Sequence, residues 1–185
     1  MKVKILEEHG HNTALIGMAL SYYDNSKPIE QWWDNERSAK AKTRAKKLAH
    51  MGGGHSKFLE HIEVWIHVKA PLSFWKQADT YRISSKQSSS TMHTLKKQIP
   101  LTHQHFSEDT HPAIINTYNT VVDKEKDVKL ADNLPDGFLQ DRIWKMSYKT
   151  LQNIISQREG HRLKHWEAFT KEILKQIKHP EYLVQ

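Results

Sequence analysis

Two groups of polar side chains could converge on a phosphate-bearing, heterocyclic ligand. The first is Arg82, Lys86, Gln87, Ser88 and Ser90, in or beside the stretch QADTYRISSKQSSSTMH that runs from Gln77 to His93. The second is Lys149, Asn153 and Arg158. Lys149 and Asn153 are four apart and share one face of a helix, with Arg158 about a turn and a half further on. Guanidinium and ammonium groups suit phosphate, amide side chains suit the edge of a heterocycle, and serine hydroxyls suit either. The same residues would also serve as an ordinary solvated surface. The stretch from Gln77 holds seven Ser or Thr and no glycine, so it is not a glycine-rich phosphate loop.

Other chemistries lack a signal. The chain has 13 histidines, among them the pairs His9/His11, His103/His105 and His161/His165. A zinc site needs three or four convergent ligands, and none of these pairs has a local third, so no metal site is expected. There is no H-E-x-x-H, no G-x-S-x-G elbow and no Walker or Rossmann glycine pattern. With no cysteine, thiol nucleophiles, thiolate metal sites and disulfides are excluded.

The elements that must position these residues read as follows. MKVKIL alternates Val3 and Ile5 with lysines, which predicts a short strand. Thr13–Tyr23 is apolar and predicts a helix packed into the core. Pro28 opens a long helix over Ile29–Met51, with Arg37, Lys40, Arg44 and Lys47 on one solvated face and Gly52-Gly53-Gly54 at its end. The clearest strand is Ile62–Val68, apolar at every second position. Pro71 stops it and starts a helix over Leu72–Arg82, after which the hydroxyl-rich stretch reads as a polar loop. A helix is expected over Pro112–Val122, a charged surface connection over Asp123–Gly137, and two more helices over Ile143–Gln157 and Arg162–Lys178. The chain reads as one α+β domain over 1–185, a small mixed sheet with flanking helices and helix-rich overall.

Composition narrows the class. At 185 residues, 37% hydrophobic and 26% charged, the chain describes a globular protein with no segment long enough to span a bilayer. The N-terminus shows no secretory signal, and with the absence of cysteine this points to the cytoplasm. The net charge of +7 favours anionic ligands, although nucleic acid is disfavoured because charge alone is a weak argument for it.

The segment HSKFLEHIEVWIHVKAPLSFWKQADTYRISSKQSSSTMH resembles the core of the flavin-dependent thymidylate synthases. That family carries H-x-T-P-F-E-H, a strand, a helix ending in Gln, and the signature R-H-R-x-x-S-x-N-E-x-S-x-R. His55, Glu60 and His61 match the first element, Gln77 the glutamine, and Arg82, Ser85 and Ser90 match within the signature. In LPDGFLQDRIWKMSYKTLQNIISQREGHRLKHW, Asn153 and Arg158 match the family's asparagine and arginine, and Lys149 stands where an arginine is usual. MKVKIL and ALSYY are also similar, which puts Ser21 at a serine near the flavin. Thr80, Tyr81, Gln87, Ser88 and Met92 depart from the signature, and the arginine expected near Ala131–Asp132 is absent. Three guanidiniums that would hold the nucleotide are thereby lost, each contributing about 1.5–3 kcal/mol in a charge-assisted contact.

The resemblance implies an FAD site formed by Ser21, His55, Tyr81, Arg82, Ser85, Gln87, Ser88, Lys149 and Asn153. It implies a pyrimidine-nucleotide site formed by Gln77, Ser90 and Arg158, with Arg158 in the catalytic role of polarising the ring. NADPH and methylenetetrahydrofolate are the implied co-substrates, and a homotetramer the implied assembly. The compact length suggests a minimal version of the fold of the kind a phage carries. A nucleotide- or flavin-binding protein without activity is the alternative on the same scaffold.

Overall fold

The computed structural model describes residues 1–124 and 130–185, so part of the connection expected over Asp123–Gly137 lies outside the described residues. The chain order is β1 (Lys2–His9), α1 (His11–Ala19), α2 (Ile29–Trp32), α3 (Asn35–Leu48), β2 (Glu63–Pro71), α4 (Leu72–Ala78) and β3 (Ser85–Ser88). It continues through α5 (Thr91–Thr94), α6 (Pro112–Lys124), β4 (Leu139–Ser147), α7 (Tyr148–Arg158) and α8 (His165–Gln176).

The strands form a four-stranded sheet in the order β1-β2-β4-β3. The α+β, helix-rich class holds, but all three pairings are antiparallel where a mixed sheet was expected. The backbone of the sheet is β2 against β4, in continuous register from Glu63 opposite Ser147 to Pro71 opposite Leu139. On β2 the alternation read from sequence is real: Val64, Ile66, Val68 and Ala70 are all fully buried. Each such branched aliphatic contributes about 1.5–3 kcal/mol relative to exposure. Trp144 and Met146 of β4 share this core with Leu151, Ile154, Trp166, Phe169 and Ile173 from α7 and α8. A second, smaller core joins Leu95, Leu101, Phe106, Ile115, Tyr118 and Phe138. The exposed backbone of β1 is met by Gln176 of α8, whose amide accepts from Ile5 N at 3.1 Å and donates to Val3 O at 3.0 Å.

Four expectations need correction. Ile143–Gln157 is not one helix: its first residues belong to β4, and α7 starts at Tyr148, where the Ser147 hydroxyl accepts from Thr150 N and caps it. The hydroxyl-rich stretch is not all loop, because Ser85–Ser88 pairs with β4 as an edge strand. The helix expected over Ile29–Met51 breaks at Trp33, and Asp34 starts α3 afresh by accepting from Arg37 N. Thr13–Tyr23 buries only Ala14 and Leu15 and leaves Leu20 and Tyr22 exposed, so it is an apolar element at the surface more than in the core.

Candidate pyrimidine and cofactor site

Three elements converge on Arg158. Strand β2 ends at Pro71, which caps α4, and α4 runs long enough to carry Gln77 in its last turn. The chain then turns, Tyr81 N donating to Ala78 O at 3.2 Å, and the Tyr81 side chain folds back beside that helix end. Helix α7 leaves the central strand β4 and ends on Arg158. Helix α8 supplies Trp166, which is fully buried.

The contacts among these side chains are specific. Arg158 Nε donates to the Tyr81 hydroxyl at 2.7 Å, and an Arg158 terminal nitrogen donates to Gln77 Oε1 at 3.4 Å. Trp166 Nε1 donates to the same Gln77 oxygen at 2.8 Å. The guanidinium lies over the Trp166 ring at 4.6 Å and near the Tyr81 ring at 5.3 Å. Aromatic faces of this kind attract a cation by about 0.5–2 kcal/mol, so Arg158 is held by two rings and two hydrogen bonds in one orientation.

Arg158 stands on the wall of a groove of about 960 Å³, together with Lys149, Asn153 and His161. Lys149 Nζ donates to Ser56 Oγ at 2.8 Å and to Gln152 Oε1 at 3.2 Å, which ties α7 to the segment just after exposed His55. The C-terminal residues Leu183, Val184 and Gln185 also line it. The expected Lys149, Asn153 and Arg158 therefore share one wall, and Gln77 and Tyr81 join them through Arg158. Among the described residues no group of three or more His, Cys, Asp or Glu could hold a metal ion, and no helix is long and apolar enough to cross a membrane.

The remaining expected residues are not brought to this groove. Arg82, Ser85, Gln87 and Ser88 lie exposed on or beside the edge strand β3. Ser90 caps α5, its hydroxyl accepting from His93 N at 3.2 Å. Ser21 is exposed in the turn after α1, with its hydroxyl 3.5 Å from Met18 O.

Lys86 is engaged within the fold. Its ammonium lies over the Trp144 ring at 4.9 Å, donates to Tyr81 O and Ser84 Oγ, and sits 3.8 Å from Asp79. Burial lowers its pKa, and Asp79 opposes that shift. Arg142 completes this cluster, bonded to Asp79 at 2.9 Å and stacked over Trp75 at 4.5 Å.

Sequence reasoning missed Trp166 as a site residue, since it reads only as the apolar face of a helix. The available signal was that a buried indole N–H needs an acceptor, and Gln77 is the one it finds. Arg142 was missed because it lies just before the helix expected over Ile143–Gln157, in no element read from the sequence.

The sequence profile described as thymidylate synthase complementing protein matches residues 5–179. Two crystal structures of thymidylate synthase X from Helicobacter pylori, each with FAD and dUMP, share the fold, with TM-scores of 0.80 and 0.78. Each is 14% identical to this chain and covers 99% of it, over 97% and 98% of the respective solved chains. At that identity the likeness carries the fold and nothing finer. No curated protein matches the chain. The profile match over almost the whole length, with the fold that accompanies it, places this chain in the thymidylate synthase complementing protein family, the flavin-dependent ThyX type.

Proposed function

We propose that this chain acts as a divergent flavin-dependent thymidylate synthase, a single-domain, cytoplasmic protein. It would methylate C5 of dUMP, or of a related pyrimidine nucleotide, using FAD, methylenetetrahydrofolate and NADPH. The observation that carries this reading is the assembly of Arg158, Gln77 and Tyr81 beside a groove walled by Lys149 and Asn153, in a chain of this family. The FAD and dUMP bound by the solved relatives support it.

The residues fit a flavin dinucleotide. A groove of about 960 Å³ lies in the range of cofactor sites, roughly 300–1,000 Å³. Lys149 offers a cation for a phosphate, and Asn153 offers an amide for a ring edge. When bound, the flavin would supply the redox equivalents and leave binding and polarisation to the protein. Arg158 would donate to a pyrimidine carbonyl and stabilise the negative charge that develops on the ring as C5 reacts. Tyr81 and Trp166 hold the guanidinium in place beforehand, so little reorganisation accompanies that charge.

A homotetramer belongs to the same reading. Arg82, Ser85, Gln87 and Ser88 stand outside the groove and would reach ligand if a second copy presented its own groove to them. Ile83 and Met92 are 84% and 80% exposed, and Tyr22 is 65% exposed, which is apolar surface such an assembly would cover.

One set of observations favours a second reading, a binder without turnover. Thr80 has its hydroxyl satisfied by Gln77 O at 2.7 Å, Met92 carries no charge, and Lys86 is committed to Asp79 and Trp144. The cationic grip on a substrate phosphate is thereby reduced.

Purified protein incubated with FAD and freed of excess should keep a flavin spectrum, and its melting temperature should rise when dUMP is added. A protein that retains no flavin overturns the synthase reading. One that retains none but is stabilised by dUMP supports the binder.

A further inference from the structure

We propose that helix α3 is a DNA-binding element: it seats in the major groove of a duplex, and the cations on its two flanks reach the phosphates of the two strands without reading sequence.

Helix α3 carries Arg37, Lys40, Lys42, Arg44, Lys46 and Lys47 and a single acid, Glu36. It packs on the body through a stripe of small residues, Ala41, Ala45 and the following Ala49, all buried. Its neighbours there are α1 and the turn at Pro180–Tyr182. At about 100° per residue, Arg37, Lys40, Arg44 and Lys47 fall on one flank of that stripe, and Lys42 and Lys46 on the other. All of these cations are exposed. Between the flanks, on the side away from the body, stands a ridge of exposed Ala39 and Thr43. The Thr43 hydroxyl donates to Ala39 O at 3.2 Å, so its proton is already used.

Most of the charge is available to a ligand. Lys42, Arg44 and Lys47 make no ion pair among the described residues, and Arg44 lies over the Tyr22 ring at 4.4 Å, a contact that leaves its N–H groups free. Arg37 pairs with Asp34, Lys40 with Glu36 at 2.6 Å, and Lys46 lies 4.0 Å from Glu181. These are exposed pairs, weak enough for a phosphate to replace.

A narrow neutral ridge between two cationic flanks has a complement in shape and charge. A helix with its side chains is about 10–12 Å across, and the major groove of B-DNA is about 12 Å wide with phosphates along both rims. The groove of duplex RNA is too narrow to admit a helix. A membrane surface would ask for an apolar face, which Ala39 and Thr43 do not supply. With no long polar side chain on the ridge to reach a base edge, binding is independent of sequence. Net charge by itself is a weak argument for nucleic acid; the two-sided placement on one helix is a separate observation.

The test is fluorescence anisotropy of a labelled DNA duplex of about 20 bp, titrated with the full chain. Lys42, Arg44, Lys46 and Lys47 together predict a slope of log affinity on log salt of about −3 to −4, a loss of about 100-fold between roughly 50 and 200 mM salt. Arg44→Gln with Lys47→Gln, and separately Lys42→Gln with Lys46→Gln, should each flatten the slope by about 2 and weaken binding about tenfold. Lys96→Gln with Lys97→Gln removes the same charge from exposed positions elsewhere and should change affinity about twofold or less. If that pair costs as much as the α3 pairs, net charge alone attracts the DNA and the inference is overturned. It is also overturned if only one flank matters, if the single strand binds as tightly as the duplex, or if phosphatidylserine vesicles bind as well as DNA. Should a flank variant fail to fold, Ala39→Glu decides, since a carboxylate on the ridge should weaken the duplex about tenfold and no weakening overturns the seat. No duplex binding at the lower salt overturns it outright. None of these outcomes depends on the synthase reading.

Discussion

Acid should loosen the C-terminal end of the groove, and His11 is the group through which it acts. The His11 and His179 rings stack at 3.7 Å with planes 13° apart, and His11 Nε2 lies 3.1 Å from the Tyr182 hydroxyl. Tyr182 is 1% exposed and directly precedes Leu183 and Val184, which line the groove. Burial lowers the His11 pKa from 6.5 to about 4, with His179 and Lys42 pushing the same way and Glu181 opposing. The unfolded chain takes up a proton as the pH falls through about 6.5, and the folded chain does not until about 4. Stability is therefore fully present above 6.5 and is lost progressively as the pH falls from there toward about 4.

Linkage over that window gives nearly 2 kcal/mol between about pH 7 and pH 5, and partial exposure of the ring reduces this to about 1 kcal/mol. Urea unfolding at the two pH values, for wild type and for His11→Gln, measures it. Wild type should lose about 1 kcal/mol more than the variant on acidification. Equal losses, or a wild type that gains stability, would refute the assignment.

Arg158→Ala should weaken dUMP binding by about 10- to 100-fold, and Arg158→Lys should not restore it, because a point charge cannot replace a planar fork held on two rings; titration of the two variants decides this. Lys86→Met should leave dUMP affinity unchanged, since the ammonium is engaged by Asp79 and Trp144; a large loss would show that Lys86 serves the ligand after all. Gly10→Ala should destabilise by about 2–4 kcal/mol, because Gly10 has a φ of 88° and a Cβ there would stand 2.2 Å from His61 O. Thermal unfolding measures it, and a melting temperature near wild type would contradict the geometry.

The legible parts of the fold were those where one element carries its own pattern. Strand β2 shows period-two burial because both its neighbours are strands and one face is core. Helix α6 matches its periodicity closely, from Pro112 onward. Strand β4 was not legible. Its buried face is Gln140, Trp144 and Met146, with the half-buried Arg142 between, so polar residues interrupt the alternation. The Ser147 cap was the one local sign that a helix began later than Ile143. Strand β3 was harder still, because Ser85–Ser88 has no apolar face and exists by backbone pairing to β4.

The site divides along the same line. Lys149, Asn153 and Arg158 were placed together because a single helix carries them. Gln77, Tyr81 and Trp166 meet Arg158 only through tertiary packing, and spacing along the chain holds no record of that. The resemblance to a family supplied Gln77 and Tyr81, and nothing in the sequence singled out Trp166.

The measurement that bears most directly on the proposed activity is product formation. FAD-loaded protein supplied with dUMP, methylenetetrahydrofolate and NADPH should yield dTMP, and should do so far more slowly as Arg158→Ala. Flavin-loaded protein that binds dUMP and forms no dTMP would contradict the synthase reading and leave a nucleotide-binding protein on the family's scaffold.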